Sequence, residues 1–174
     1  MNPDATEASV DPDVLAVLRE AFDRARAGDS ERLAALIALG VPPGLCNERG
    51  DSLVMLASYH GHHDATALLL ARGADPDAAN DRGQSPLAGA AFHGDAAMVE
   101  LLLDHGAAIE GGDASGRTPL MFAAMFDRID VIEALLARGA DPARRDSGGI
   151  SALDLARMMG SARAAALLCS GWER

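Results

Sequence analysis

Glycine returns at a fixed interval of 33 residues along this 174-residue chain, in three separate ladders. One is Gly50, Gly83, Gly116 and Gly149. A second is Gly40, Gly73, Gly106 and Gly139. A third is Gly28, Gly61, Gly94 and Gly160, with Asp127 in its fourth place. Three registers that share one period mean that a single supersecondary unit is copied about five times and stacked. A stacked array buries its core between neighbours and presents surface rather than an enclosed pocket. The expected work of such a chain is therefore binding.

One copy, from Asp113 to Arg145, shows how the unit folds. Asp113-Ala114-Ser115-Gly116-Arg117 is rich in turn formers. Thr118 and Pro119 then open a helix: the hydroxyl can cap free N–H groups, and proline has its φ preset at the first helical position. Leu120 to Met125 forms a short first helix with small residues at its centre. Asp127 turns the chain. Ile129 to Ala137 forms a second helix with Val131, Ile132, Leu135 and Leu136 on one face. Gly139 ends that helix in the left-handed region. The copies beginning near Asn47, Asn80 and Asp146 follow the same plan. The first copy differs, because Asp11 caps and Pro12 begins a longer helix that runs to about Arg26. In the last copy Leu168 and Trp172 close the pattern, and residues 1–10 read as a tail with no apolar period.

The string Gly-x-Thr-Pro-Leu-x-x-Ala-Ala, a turn, and Val-Ile-x-x-Leu-Leu-x-x-Gly-Ala-Asp resembles the ankyrin repeat. The resemblance covers roughly residues 12–174. It implies an all-α solenoid of stacked helix-turn-helix units with short β-turn or hairpin fingers. In that reading residues 1–10 are a disordered tail and 11–174 the repeat domain. Residues 11–47 form an N-terminal capping repeat, 48–80, 81–113 and 114–146 internal repeats, and 147–174 a C-terminal capping repeat. Four departures stand out. The family's histidine after Thr-Pro-Leu is replaced by Met55, Ala88, Met121 and Asp154, so its hydrogen-bond network is expected to be missing. Asp127 replaces a turn glycine. The second copy lacks the Thr-Pro start. Gly89 sits inside a helix, at a cost of up to about 1 kcal/mol relative to alanine.

Ankyrin-like arrays bind through the turn tips and the exposed residues that close each first helix. In this chain the two positions before the turn glycine read Arg26-Ala27, Tyr59-His60, Phe92-His93, Met125-Phe126 and Met158-Met159. Three of the six aromatic residues and three of the seven methionines fall in this column. Exposed apolar and aromatic residues in one patch mark an interaction site, and methionine adds adaptable packing. The alternative is that these side chains lean inward between adjacent first helices. The turn tips offer Arg49 and Asp51, Arg82 and Gln84, and Ser115 and Arg117 as further contacts, mixing guanidinium with carboxylate.

Bulk composition narrows the partner. The formal charge is −11, and all fifteen basic residues are arginine. That field disfavours phosphate backbones and so excludes nucleic acid, while it favours a protein with a basic surface. An inhibitor or immunity-type protein for a basic toxin or enzyme is one version of that reading. A self-associating structural protein is another, although a monomer is the first expectation. No apolar run is long enough to span a membrane, and Met1 to Glu7 lacks the basic start of a secretory signal, so a cytoplasmic location is expected. The arginine bias and heavy alanine usage suggest a bacterial source.

Catalytic chemistry is not expected. Gly-x-x-x-x-Gly-Lys, Gly-x-Ser-x-Gly, His-Glu-x-x-His and Cys-x-x-Cys are all missing. His60, His62 and His63, with His93 one repeat away, are the one cluster that invites a metal. The register assigns His62 to the capping slot after the turn glycine and His63 to the start of a polar outer helix, so no metal or cofactor is expected. Cys46 and Cys169 lie nearly four units apart, too far for a disulfide. Cys169 falls where other copies carry leucine or isoleucine, so it is expected to be a small core residue.

Overall fold

A computed structural model of the protein describes residues 11–170, and over these the chain forms ten helices. The expected tail at 1–10 and Trp172 lie outside the described residues. The helices pair as α1 (Pro12–Ala27) with α2 (Ser30–Ala38), and α3 (Leu53–Tyr59) with α4 (His63–Ala71). Next come α5 (Pro86–His93) with α6 (Ala96–Asp104), and α7 (Pro119–Met125) with α8 (Ile129–Ala137). The last pair is α9 (Ala152–Met159) and α10 (Ala162–Cys169). Odd-numbered helices pack side by side as an inner layer, and even-numbered helices form an outer layer behind them. Ala57, Ala90, Ala91, Ala123, Ala124 and Ala156 are buried and let the inner helices approach closely.

The caps repeat with the register. Ser52, Ser85, Thr118 and Ser151 are buried, and each hydroxyl accepts a hydrogen bond from the third amide of its inner helix, at 3.0, 3.2, 3.3 and 3.2 Å. A buried cap is useful here because an orphan amide in the core would cost far more than one in water. Outer helices α4, α6 and α8 end at Gly73, Gly106 and Gly139, with φ of 86, 88 and 96°. The next residue in each case, Ala74, Ala107 and Ala140, bonds back to the helix and tucks its methyl into the core. The leucine faces meet in one continuous core that includes Leu33, Leu69, Leu102 and Leu135.

Asp127 explains its own departure. It adopts φ 55°, the one non-glycine residue with positive φ among those described. Its carboxylate accepts from the Ala164 amide at 2.8 Å. Ala164 is the third residue of α10, and its own N-cap, Ser161, makes no side-chain cap because its hydroxyl donates to the Met125 carbonyl at 2.8 Å. Aspartate therefore caps the helix of the next repeat from a turn where glycine could not. His62 and Arg128 occupy the slot of Ser161 in earlier copies and also reach back. His62 Nε2 lies 2.8 Å from the Arg26 carbonyl, and Arg128 Nε donates to the Phe92 carbonyl at 3.2 Å. The Arg128 stem lies so close that a Cβ on Gly94 (φ 83°) would come within 2.7 Å of it.

Two expectations are corrected. Cys169 is exposed, not core. Its register equivalent, Leu136, is buried under the following repeat, but no outer helix among the described residues lies beyond α10. The hydrogen-bond network expected to be missing is partly replaced. Asp154 accepts from the Ser151 amide at 3.1 Å and the Ser151 hydroxyl at 2.7 Å, completing a capping box. The Thr118 amide, in the same way, donates to the Met121 sulfur at 3.4 Å.

Charged groups appear at both ends, beside exposed Val14, Leu15 and Leu39 at one and Met158 and Met159 at the other. At the N-terminal end Arg32 grips Glu20 through two hydrogen bonds of 2.8 and 2.9 Å. The Arg32 bond holds the Glu20 carboxyl below the usual range. At the other end Asp154 and Arg157 replace the buried Met121 and Ala124 of the preceding copy.

Candidate protein-binding face

The inner helices present their C-terminal ends in a row. Tyr59 is 48% exposed, and Phe92 and Phe126 are each 36% exposed. Met158, Met159, His60 and His93 are exposed as well. Met125 is the exception; it is half-buried and packs against the core. The rings do not lean inward, nor do they stand free. Tyr59 packs edge-on against His93 with ring centres 4.4 Å apart, and Phe92 packs edge-on against Phe126 at 4.6 Å. Each contact joins neighbouring repeats and leaves an aromatic face towards solvent.

Helices α3, α5 and α7 contain no aspartate, glutamate or arginine. Acidic residues instead occupy the outer helices, with Glu31 on α2, Asp64 on α4, Glu100 and Asp104 on α6, and Asp130 and Glu133 on α8. Further acids lie on the two end helices of the inner layer, Asp13, Glu20 and Asp23 on α1 and Asp154 on α9, and in the fingers, so the stretch free of carboxylates is α3, α5 and α7 alone.

Above the inner helices project the turn fingers. Asn47 braces its own finger by accepting from the Arg49 and Asp51 amides at 2.8 and 3.0 Å. Asn80, Asp113 and Asp146 do the same in their copies. Adjacent fingers are tied to one another. The Asp81 amide donates to the Arg49 carbonyl at 3.0 Å, and the Asn80 side chain donates to Asp51 at 2.9 Å. Arg117 is half-buried and lies 3.8 Å from Asp146. Asp51 therefore ties adjacent fingers by a hydrogen bond and Arg117 adds a longer ion contact, while Arg49, Arg82 and Gln84 are exposed. Ser115 is half-buried, and its carbonyl accepts from the Ser147 amide at 2.9 Å. Between the fingers braced by Asn47 and Asn80 an open trough of about 560 Å³ runs down to Met55, Tyr59 and His60.

The histidines act as rungs between repeats. His63 lies 3.0 Å from Asp95, and His62 meets the Arg26 carbonyl. No described set of three or more His, Cys, Asp or Glu side chains converges as a metal site would require. No described helix is long and apolar enough to cross a membrane.

A family model for ankyrin repeats, in three copies, matches residues 22–110 and 54–146. The chain belongs to the ankyrin repeat family. A Pseudomonas aeruginosa protein named as an ankyrin repeat protein is 52% identical over 61 residues, which cover 35% of this chain and 36% of that relative. The match thus spans about a third of the bacterial relative's length. Proteins of the ankyrin family generally act as protein–protein interaction modules, and the exposed column of Tyr59, Phe92 and Phe126 lies on the inner helices of the array. Sequence spacing located that column but missed Met55, Gly89 and Phe122, which line a notch beside it. The signal was present: Gly89 breaks a column that reads Leu56, Phe122 and Leu155 in the second, fourth and fifth copies.

Proposed function

We propose that this ankyrin repeat protein binds a protein partner through its inner face and finger tips, and acts by occupying that partner rather than by catalysis. The observation that carries the reading is the solvent-facing ladder of Tyr59, Phe92 and Phe126 on helices free of acidic residues. Aromatic side chains dominate binding energy where they can be desolvated. A face already held by capped helices and tied fingers needs little ordering on association. The contacts proposed are Tyr59, His60, Phe92, His93, Phe126, Met158 and Met159, with Arg49, Arg82 and Gln84 above them. Met125, Asp51, Ser115 and Arg117 contribute by holding this surface in place.

The test is a pull-down from native lysate with wild type against a Tyr59/Phe92/Phe126 triple alanine variant whose far-UV circular dichroism is unchanged. A protein retained only by wild type supports the reading. Equal capture by both refutes it.

The overall net charge of −11 favours encounter with a partner that carries a basic surface, as an inhibitor of a cationic toxin or enzyme would meet in the cytoplasm. Association with such a partner slows markedly as salt rises; a salt-independent on-rate refutes the charge-steered version. Light scattering across concentration separates a monomer that binds a foreign protein from a chain that buries the ladder against its own copy.

A further inference from the structure

Position 89 departs from its own column. In the 33-residue register it aligns with Leu56, Phe122 and Leu155, and each of those side chains packs on the core. The usual reasons for a glycine fail here. Gly89 lies inside α5 and is not among the glycines with positive φ. A Cβ at this position would meet Tyr59 Cδ2 at 3.6 Å, an ordinary van der Waals distance. Glycine also weakens a helix interior. What its missing side chain does produce is a notch of about 110 Å³ on the inner face. Met55, Tyr59, Ala88, Gly89, Phe92 and Phe122 line it together with the polar Gln84 and Ser85. That volume is several times what one water needs, and the walls offer water few polar partners.

We propose that this notch is the anchor pocket for one leucine or methionine side chain of the partner. The proposal rests on the reading that the inner face binds protein. Its occupant follows from shape and charge. The side chain missing from the column is leucine or phenylalanine in the second, fourth and fifth copies, the first carrying exposed Asp23, so an incoming side chain of similar bulk restores the surface those repeats have. Entering it would also cover the exposed parts of Tyr59 and Phe92, the placement expected of a central hot spot. Helices α3, α5 and α7 hold no carboxylate or guanidinium, so a charged side chain would be desolvated there with nothing to pair it.

Displayed short random peptides, selected on wild type and then assayed separately on wild type, Gly89→Leu and the triple alanine variant, test this. Enriched peptides are expected to share one leucine or methionine, and changing that residue to alanine weakens binding to wild type by about tenfold or more. Gly89→Leu binds them at least as much more weakly. Gly89→Ala melts higher than wild type by roughly 2–4 °C, as relief of a helix glycine predicts. A lower melting temperature for Gly89→Ala makes the glycine structural and overturns the proposal. So does a selection that enriches nothing, or peptides that bind wild type and Gly89→Leu alike. Peptides lost by the Tyr59/Phe92/Phe126 triple variant but kept by Gly89→Leu refute the anchor pocket alone. Peptides indifferent to both variants refute the inner-face reading as well.

Discussion

Replacing Asp127 by alanine removes two things at once. The first is the cap on α10, in which the carboxylate accepts from the Ala164 amide at 2.8 Å. Losing such a cap typically costs about 1 kcal/mol. The second is tolerance of the left-handed backbone at φ 55°. Alanine there costs about 1 kcal/mol or more, and aspartate is among the residues that suffer least. The two losses sum to about 2 kcal/mol, and for a domain of this size each kilocalorie lowers the melting temperature by about 2–4 °C. Asp127→Ala should therefore melt about 4–8 °C below wild type. Asp127→Gly loses the cap but relaxes the backbone, so its change should be within about 1 kcal/mol. Asp127→Asn keeps an acceptor and should stay near wild type. Thermal melts followed by circular dichroism measure the series, and hydrogen exchange at the Ala164 amide locates the effect. An alanine variant that melts with wild type, with Ala164 protection unchanged, refutes the capping account.

Three further outcomes follow from the same contacts. Phe92→Ala, and separately Phe126→Ala, should weaken partner binding by about 2 kcal/mol, close to thirtyfold in Kd, and lower the melting temperature by only a few degrees through the lost ring pair; a large fall in stability with unchanged Kd would make the ring pair purely structural. The Ser151 hydroxyl and amide hold the Asp154 carboxyl below its ordinary 3.8, so its contribution is present above that value and fades as pH falls further. The melting difference between wild type and Asp154→Ala should accordingly be constant near neutral pH and shrink below about pH 4; a difference that grows in acid contradicts this. Both thiols should react with a maleimide in the native protein without denaturant, because Cys46 and Cys169 are exposed; a Cys169 that reacts only after unfolding returns it to the core.

Most of the fold was legible because the residues that set it act locally. Ser52, Ser85, Thr118 and Ser151 mark helix starts, and the glycines mark stops, whatever surrounds them. The exposed column of Tyr59, Phe92 and Phe126 was legible for the same reason, since its place is fixed relative to a turn. Side-chain partners across repeats were not. Spacing alone does not reveal that Phe92 meets Phe126 while Tyr59 meets His93, because rotamers answer to three-dimensional neighbours. Nor does it show that Asp127 serves a helix 37 residues downstream in a bond the turn position alone does not suggest. Cys169 was misread because the register assumes a covering neighbour that no described element supplies. Asp51 and Arg117 looked like free tips, yet their partners, Asn80 and Asp146, come from the adjacent finger.

The most direct measurement places a photo-crosslinking amino acid at position 92 on the inner face, and in a second protein at exposed Glu133 on the outer helix α8, and irradiates each in native cells. The account predicts a discrete protein adduct from position 92 and none from position 133. Adducts from position 133 alone would mean that the outer helices carry recognition and that the aromatic ladder serves only to hold the repeats together.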